Sequence, residues 1–145
     1  MEIRDSNKDK NVYKDALSIR RSVFIEEQGI DENVEFDGTG ANATHYVAYV
    51  DNKPVATARA TKTDEGVHIQ RVATLKEYRH QDIAKSLIET ILKDPQFKNQ
   101  TRFYLGGQVT AVGFYEKLGF KVYGKPFLDA GIEHKHMEKS ATRRG

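Results

Sequence analysis

The 145-residue chain contains no cysteine, no long apolar run and no large excess of either charge. Without cysteine it has no disulfides, no thiolate metal site and no cysteine nucleophile. Its longest apolar runs are only a few residues, too short for a transmembrane helix, and the first residues lack the apolar stretch of a signal peptide. We therefore expect a cytoplasmic protein that does not act in a membrane.

The charge balance is close to even, with 23 basic and 21 acidic residues and a net charge of +2. This balance gives no electrostatic footprint for nucleic acid. A chain of this length can bury a core, and 38% hydrophobic with 30% charged residues is typical of a globular protein. We expect a single domain over residues 1–145, with a frayed tail over 139–145, as a monomer or a homodimer.

The pattern of apolar and turn residues predicts a series of strands and helices. Strands are expected over residues 1–6, 45–50, 54–62, 67–74, 101–107, 120–124 and 132–139, and helices over 8–28, 82–93 and 110–118. Loops are expected over 30–42, which can hold a short helical turn, and over 125–131. The order β-α-β-β-β-α-β-α-β-β predicts an α+β fold, with a mixed, mostly antiparallel central sheet flanked by helices.

The stretch YRHQDIAKSLIE, residues 78–89, is typical of the start of an amphipathic helix, with Asp82 at the N-cap position. A helix N-terminus also binds anions, because free N–H groups and the helix dipole face the ligand. The backbone of residues 80–85 is therefore a candidate phosphate site, which Arg79 can assist. A phosphate loop usually has glycine here, and this chain has His80 and Asp82 instead.

This region resembles the GNAT acyltransferase superfamily. The segment VATLKEYRHQDIAKSLIE resembles its acyl-CoA pyrophosphate motif, a strand followed by Arg/Gln-x-x-Gly-x-Gly/Ala, with Arg79, Asp82 and Ala84 at the named positions. The segment AVGFYEKLGF, residues 111–120, resembles the last helix and strand of the family. The N-terminal IRRSVFIEEQ and the later FLDAGIEHKHM further resemble the small bacterial YjcF-like and ElaA-like acetyltransferases.

The resemblance implies a GNAT acyl-CoA N-acyltransferase fold and an acetyl-CoA-dependent N-acetyltransferase. Such an enzyme moves an acetyl group directly to a primary amine of a small molecule or a peptide, without a metal ion. In the family, the strand before the phosphate loop diverges from its neighbour and pairs with the pantetheine arm. The resemblance assigns to acetyl-CoA Val72, Ala73, Thr74, Arg79, His80, Gln81, Asp82, Ile83, Ala84, Lys85, Gln108, Phe114, Tyr115 and Lys117.

The candidate catalytic residues are Tyr115 and His68. Tyr115 matches the family tyrosine near the thioester sulfur and would act as general acid, although an aromatic residue at this helical spacing also fits a core position. His68 lies in the strand HIQRVAT, which has no carboxylate. An unperturbed imidazole pKa of ~6.5 suits a general base, but a solvated histidine at the end of a strand fits this position better, and bound water is a further alternative.

The acceptor site is expected between the first helix, the acidic loop after it and the final strands. The positions that resemble the YjcF-like and ElaA-like pattern are Arg20, Phe24, Glu27, Glu35, Asp37, His45, Arg59 and His134. Clustered acids here suit a cationic amine, but a solvated acidic loop with arginines paired for structural reasons gives the same pattern. His134 and His136 share one strand face, and without a third ligand nearby in sequence we expect no metal site.

Two alternatives stay open at this point. Because His80 and Asp82 stand at glycine positions, the fold can instead be a binding or regulatory module with impaired CoA binding. The Arg…Phe…Glu-x-Asp layout also resembles acyl-homoserine lactone synthases, with Glu35 and Asp37 kept and Gly40 where a further Asp is expected.

Overall fold

The computed structural model describes residues 1–36 and 42–141. Its strands are β1 (Glu2–Asp5), β2 (Thr44–Val50), β3 (Lys53–Thr63), β4 (Gly66–Thr74), β5 (Arg102–Gln108), β6 (Lys121–Asp129) and β7 (Ile132–Ser140). They form one seven-stranded sheet in the order β1-β2-β3-β4-β5-β7-β6. Every neighbouring pair is antiparallel except β4 and β5, which are parallel.

The helices cover both faces of this sheet. The first, α1 (Asn11–Arg20), continues directly into a π-helical segment (Arg21–Glu27). The others are α2 (Glu32–Glu35), α3 (Ile83–Lys93) and α4 (Val112–Lys117), and 3-10 turns cover Lys76–Tyr78, Pro95–Phe97 and Val109–Ala111. Among the helices of residues 1–36 and 42–141, none is long and apolar enough to cross a membrane.

Apolar side chains are buried on both faces of the sheet. Alternation along β3 sends Ala56, Ala58 and Ala60 to one face, where they join a cluster with Leu87 and Ile91 of α3. The opposite face packs against α1 in a second cluster that includes Val12, Ala16, Ile19, Val47 and Tyr49. We call these the α3 face and the α1 face. Each fully buried aliphatic side chain stabilises the fold by about 1.5–3 kcal/mol relative to an exposed one.

A β-bulge changes the direction of β4 near its middle. Arg59 of β3 pairs with Gln70, and Thr57 pairs with Ala73, so β4 has one residue more than β3 between these pairs. Arg71 lies in the extra stretch with a positive φ of 56°. A bulge of this kind bends its strand and re-aims the side chains that follow. The C-terminal half of β4 therefore runs in a different direction from its N-terminal half.

The sheet opens between its two parallel strands. In the described residues β4 and β5 pair at only two positions, Val67 with Phe103 and His68 with Tyr104. Beyond these positions β4 stays paired with β3, and β5 stays paired with β7. The result is a V-shaped opening whose walls are the C-terminal ends of β4 and β5.

The α+β fold class predicted from the sequence is confirmed. The predicted loop over 125–131 is wrong, because β6 continues to Asp129 and a register shift between Tyr123 and Phe127 accommodates the Gly-Lys-Pro stretch. The predicted start of a frayed tail at residue 139 is also wrong, since Lys139 and Ser140 pair with β5.

Candidate active site

A cleft of about 430 Å³ lies at the opening between β4 and β5. The π-helical segment and α2 line one side, and the β6–β7 hairpin lines the other. Candidate residues that line it are Phe24, Glu35, His68, Val72, Gln108, Tyr115 and His134. Residues predicted for the cofactor, for catalysis and for the acceptor therefore meet at one opening.

The candidate phosphate loop before α3 is unusual in its backbone. His80 has φ 64° and Asp82 has φ 60°, both in the left-handed region that favours glycine. Asp82 is the N-cap residue, as the sequence predicts, but its side chain makes no capping bond. Its carbonyl oxygen accepts the first helical N–H bond, from Ser86 at 3.1 Å.

The same geometry leaves the helix N-terminus open. The N–H groups of Ile83, Ala84 and Lys85 precede that first helical bond and have no intrahelical acceptor. Since the Asp82 side chain does not cap them, these N–H groups are available to an anion. Around them, Gln81 and Lys85 are exposed, while Ile83 is buried in the α3-face core.

Arg79 does not point freely toward this N-terminus. Its Nη2 and Nη1 donate to Glu27 Oε1 and Oε2 at 2.7 and 2.8 Å, and its Nε donates to the carbonyl of Thr74 at 3.0 Å. The hydrogen bonds to Arg79 are the main cause that lowers the pKa of the Glu27 carboxyl. Glu27, expected on the acceptor side, is thus hydrogen-bonded to Arg79 at the start of the candidate phosphate loop.

Tyr115 of α4 is buried, with 6% of its surface exposed, and lines the cleft. Its ring packs edge-on against Phe114 and Phe120, with centroids 5.0 and 6.0 Å away. Gly107 makes room for it, because a Cβ there would lie 3.2 Å from the ring. The hydroxyl has no hydrogen-bond partner among the described residues. Burial raises the pKa of Tyr115 well above its usual range.

His68 of β4 lines the cleft next to β5. Its ring stacks on Tyr104 with a centroid distance of 4.6 Å and an interplanar angle of 8°. Burial, followed by the charges of Arg59 and Arg71, lowers the pKa of His68 to about 4. The imidazole is therefore neutral near pH 7 and a weak base.

Glu35 is held inside the protein by two arginines. Its Oε1 accepts from Arg20 Nε at 2.7 Å, and its Oε2 lies 3.1 Å from Arg71 Nε. The side chains of Glu35 and Arg20 are only 3% and 4% exposed. The acidic cluster expected here is thus largely paired with arginines. Asp37 and Gly40, on which the lactone-synthase alternative depends, lie outside the described residues.

Four further candidates, His45, Arg59, Ala73 and Lys117, do not line the cleft. His45 is buried on the α1 face with its ring against Tyr13, and Arg59 donates to Gln70 at 3.0 Å. Ala73 belongs to the α1-face core, and Lys117 is exposed at the end of α4. Gln108 donates to Gln28 at 3.1 Å and so links β5 to the chain after the π-helical segment. No group of three or more His, Cys, Asp or Glu in the described residues can hold a metal ion.

Three aromatic residues of the cleft were not predicted from the sequence: Tyr104, Tyr123 and Phe127. A signal existed for Tyr104, because it alternates with Gly106 and Gln108 along β5 and so shares a face with Gln108. The signal for Phe127 is weaker. It begins the segment FLDAGIEHKHM, which resembles the YjcF-like and ElaA-like proteins, but the Gly, Pro and charged residues beside it predict a loop.

The splayed parallel strands and the open helix N-terminus after the first of them are those of a GNAT acyltransferase. The profile of the GNAT acetyltransferase domain family matches residues 9–141, and the chain belongs to this family. The uncharacterized protein YyaT of Bacillus subtilis is 37% identical over 132 residues, 89% of either chain. The uncharacterized N-acetyltransferase YjcF of the same organism is 33% identical over 133 residues, 91% of this chain and 95% of YjcF.

Solved structures share the fold over nearly the whole chain. The crystal structure of a candidate N-acetyltransferase from Lactobacillus plantarum has 28% identity and a TM-score of 0.87, covering 97% of this chain and 98% of that one. An aminoglycoside 6'-N-acetyltransferase, crystallised with coenzyme A, has a TM-score of 0.78 at 18% identity and covers 100% of this chain and 99% of its own. The resemblance to GNAT proteins seen in the sequence is confirmed.

Proposed function

We propose that the protein is an acetyl-CoA-dependent N-acetyltransferase that moves the acetyl group directly to a primary amine, with Tyr115 as general acid. The observation that carries this proposal is that Tyr115 lines the same cleft that forms where β4 and β5 diverge. Membership of the GNAT family supports acetyl transfer from CoA in general. The amine acceptor and the role of Tyr115 are the further content of the proposal.

The residues at the opening fit an acyl-CoA. Acetyl-CoA supplies the thioester, and the unpaired edge of β4 beyond the bulge suits an extended pantetheine arm, in the manner of an added strand. The N–H groups of Ile83, Ala84 and Lys85 suit the pyrophosphate, because they face outward at the positive end of the α3 dipole. The exposed Lys85 adds a positive charge nearby.

The transfer needs a proton donor and a proton acceptor. The amine nitrogen attacks the thioester carbonyl carbon, the carbon–sulfur bond breaks, and the departing sulfur takes the proton of the Tyr115 hydroxyl. The raised pKa of Tyr115 keeps that proton in place near neutral pH until the sulfur takes it. The tyrosinate regains a proton from water. The proton lost by the amine passes to water, since a pKa of about 4 makes His68 a weak base.

Acetyl-CoA binding is tested first, by thermal unfolding. A ligand that binds only the folded state raises its stability by about 2.7 kcal/mol at a hundred times its Kd, so the melting temperature should rise with acetyl-CoA. Transfer is then followed as CoA thiol released with a panel of amines. Since the chain has no cysteine, it contributes no thiol background to this assay.

The role of Tyr115 is tested with a pair of Tyr→Phe variants. Tyr115→Phe keeps the buried ring and should lower kcat by about a hundredfold, in the range of general acid catalysis, with little change in stability. Tyr46→Phe is the control, because the buried Tyr46 hydroxyl donates to Asp94 at 2.6 Å in the core. It should lower stability and leave kcat unchanged. Unchanged kcat in Tyr115→Phe would contradict the acid role.

A second candidate is a regulatory module with impaired CoA binding. Asp82 at a glycine position and the engagement of Arg79 by Glu27 both favour it. It predicts no thermal shift at millimolar acetyl-CoA, and the same titration therefore separates the two functions.

A further inference from the structure

One wall of the cleft is built by Phe127 resting on a glycine. A Cβ added at Gly106 would lie 2.8 Å from the Cζ of the Phe127 ring, so only glycine allows the ring this close to β5. His136 is the neighbour of Gly106 on β7, and its ring stacks on Phe127 with a centroid distance of 4.2 Å and an angle of 22°. The His134 ring stacks on the same phenyl group at 5.5 Å. Phe127 is thus fixed as a flat wall.

The aromatic surface continues across the sheet. His68 and Tyr104 form a parallel stack, and the Arg102 guanidinium lies over the Tyr104 ring at 4.7 Å and the Tyr123 ring at 5.4 Å. Cross-strand pairing places Tyr104, Gly106, Phe127 and their partners on one face. This side of the cleft is therefore lined by aromatic rings together with polar side chains.

The charges around this aromatic surface do not favour an acceptor that carries a second, positively charged amine. Glu35, the buried carboxylate of the cleft, is already bound by Arg20 and Arg71. The other carboxylates that line it, Glu65 and Asp129, are exposed to solvent, where their attraction for a cation is screened. Arg102 occupies the Tyr104 and Tyr123 faces that a cation would otherwise use.

We propose that the acceptor is a primary amine that carries an aromatic ring, and that this ring packs on Phe127 and His136 while the amine reaches toward Tyr115. The proposal rests on the proposed acetyl transfer and names its substrate class. A planar ring gains from stacking in addition to burial, whereas a saturated group of the same size gains from burial alone. Phe127 is then the residue that determines specificity.

The test compares two amines that differ only in the planarity of the ring, phenethylamine and cyclohexylethylamine, with putrescine as a diamine. We expect kcat/KM for phenethylamine to exceed that for cyclohexylethylamine by about tenfold, mostly through a lower KM. A tenfold ratio corresponds to about the upper range of the energy of an aromatic pair. Putrescine should be the poorest of the three. Equal or better rates with cyclohexylethylamine or putrescine would overturn the proposal.

Variants of β6 locate the effect. Phe127→Ala should remove the preference for phenethylamine, and Phe127→Tyr should keep it. Leu128→Ala is the matched control, because Leu128 is the next residue of the strand, is 73% exposed and should leave all three rates unchanged. The circular dichroism spectrum and the melting temperature of Phe127→Ala report on folding, because both amines lose a contact surface in this variant. A preference that survives in Phe127→Ala overturns the role of Phe127.

The two proposals fail in different ways. If acetyl-CoA binds and aliphatic amines are acetylated without an aromatic preference, only the inference on the acceptor is overturned. If no amine is acetylated, the proposed function fails, and binding of phenethylamine by saturation-transfer NMR still decides the inference. Wild type should then bind the ring and Phe127→Ala should not. No ring contact in wild type overturns the aromatic subsite.

Discussion

The carboxylate of Glu27 holds the guanidinium of Arg79 through two hydrogen bonds of 2.7 and 2.8 Å. Glu27 is the last residue of the π-helical segment, and Arg79 leads into the phosphate loop before α3. A π-helical stretch inside a helix is often found at functional sites, and this one contributes Phe24 to the cleft. The pair thus joins the π-helical segment, which lines the cleft, to the candidate phosphate loop.

Removing the Glu27 charge should strengthen CoA binding. In Glu27→Gln, Arg79 loses its carboxylate partner and becomes available to a phosphate, so the Kd for acetyl-CoA should fall by about threefold to tenfold, equivalent to ~1 kcal/mol. Isothermal titration measures this. Stability should drop by less than about 1 kcal/mol, because both side chains are about a third or more exposed.

The control for this variant is Glu32→Gln, which breaks a pair of the same kind with Arg21 and changes the net charge equally. It should leave the Kd unchanged. Weaker binding in Glu27→Gln would mean that Glu27 holds Arg79 in the position that the phosphate needs.

The two left-handed residues of the phosphate loop should respond differently to glycine. His80→Gly removes about 1–2 kcal/mol of left-handed strain and adds about 0.5–1 kcal/mol of chain entropy cost, so unfolding in urea should show a gain in stability of up to about 1.5 kcal/mol. Asp82→Gly should gain less, because Asp tolerates this conformation better. For Asp82→Gly, the change in the Kd for acetyl-CoA should be larger than the change in stability.

Asp82 places a carboxylate beside the candidate phosphate site. At ~5 Å from a phosphate and an effective dielectric near 20, repulsion costs ~3 kcal/mol, and exposure of the side chain reduces it. Asp82→Asn should therefore lower the Kd for acetyl-CoA by about tenfold with little change in stability. Glu32→Gln, which removes an exposed carboxylate that pairs with Arg21 rather than one beside α3, is the control. An unchanged Kd in Asp82→Asn would place the carboxylate away from the phosphates.

Much of the fold could be predicted because its signals are local. Tight turns separate β2, β3 and β4 in the sequence, and the apolar period of α3 marks its helix. The segments around Arg79 and Tyr115 resemble GNAT motifs. Because the strand before the phosphate loop diverges from its neighbour in that family, the resemblance predicts the opening between β4 and β5. Short-range patterns of this kind are set by residues within one or two turns of each other.

The failures come from contacts between distant segments. Glu27 and Arg79 are 52 residues apart, so no local pattern shows that they pair. Asp82 has the chemistry of a capping residue, yet its backbone takes the left-handed form, and its side chain makes no cap. Phe127 lies in a segment rich in turn residues, which predicts a loop. The segment is a strand because Phe127 pairs with His134 of β7, and this long-range pairing leaves no local pattern.

Glu35 should be essential for stability. Glu35→Gln removes the charge that two largely buried guanidinium groups share, and breaking a buried pair in this way costs about 3–5 kcal/mol. Urea unfolding measures the loss. Glu32→Gln, with side chains 47% and 58% exposed in its pair, should lose less than about 1 kcal/mol. A Glu35→Gln protein within 1 kcal/mol of wild type would contradict the importance of the buried pairs.

The protonation of His68 should make the protein less stable in mild acid. Burial and the charges of Arg59 and Arg71 lower its pKa to about 4 in the folded state, against ~6.5 in the unfolded chain. As pH falls from about 6.5 toward 4, the unfolded state takes up a proton that the folded state does not, so stability is present in full above this window and is lost within it. Between pH ~7 and ~5, His68→Gln should therefore lose less stability in urea than wild type does. Leu128→Ala, which keeps every titratable group, should follow wild type, and a parallel loss in His68→Gln would show that His68 titrates alike in both states.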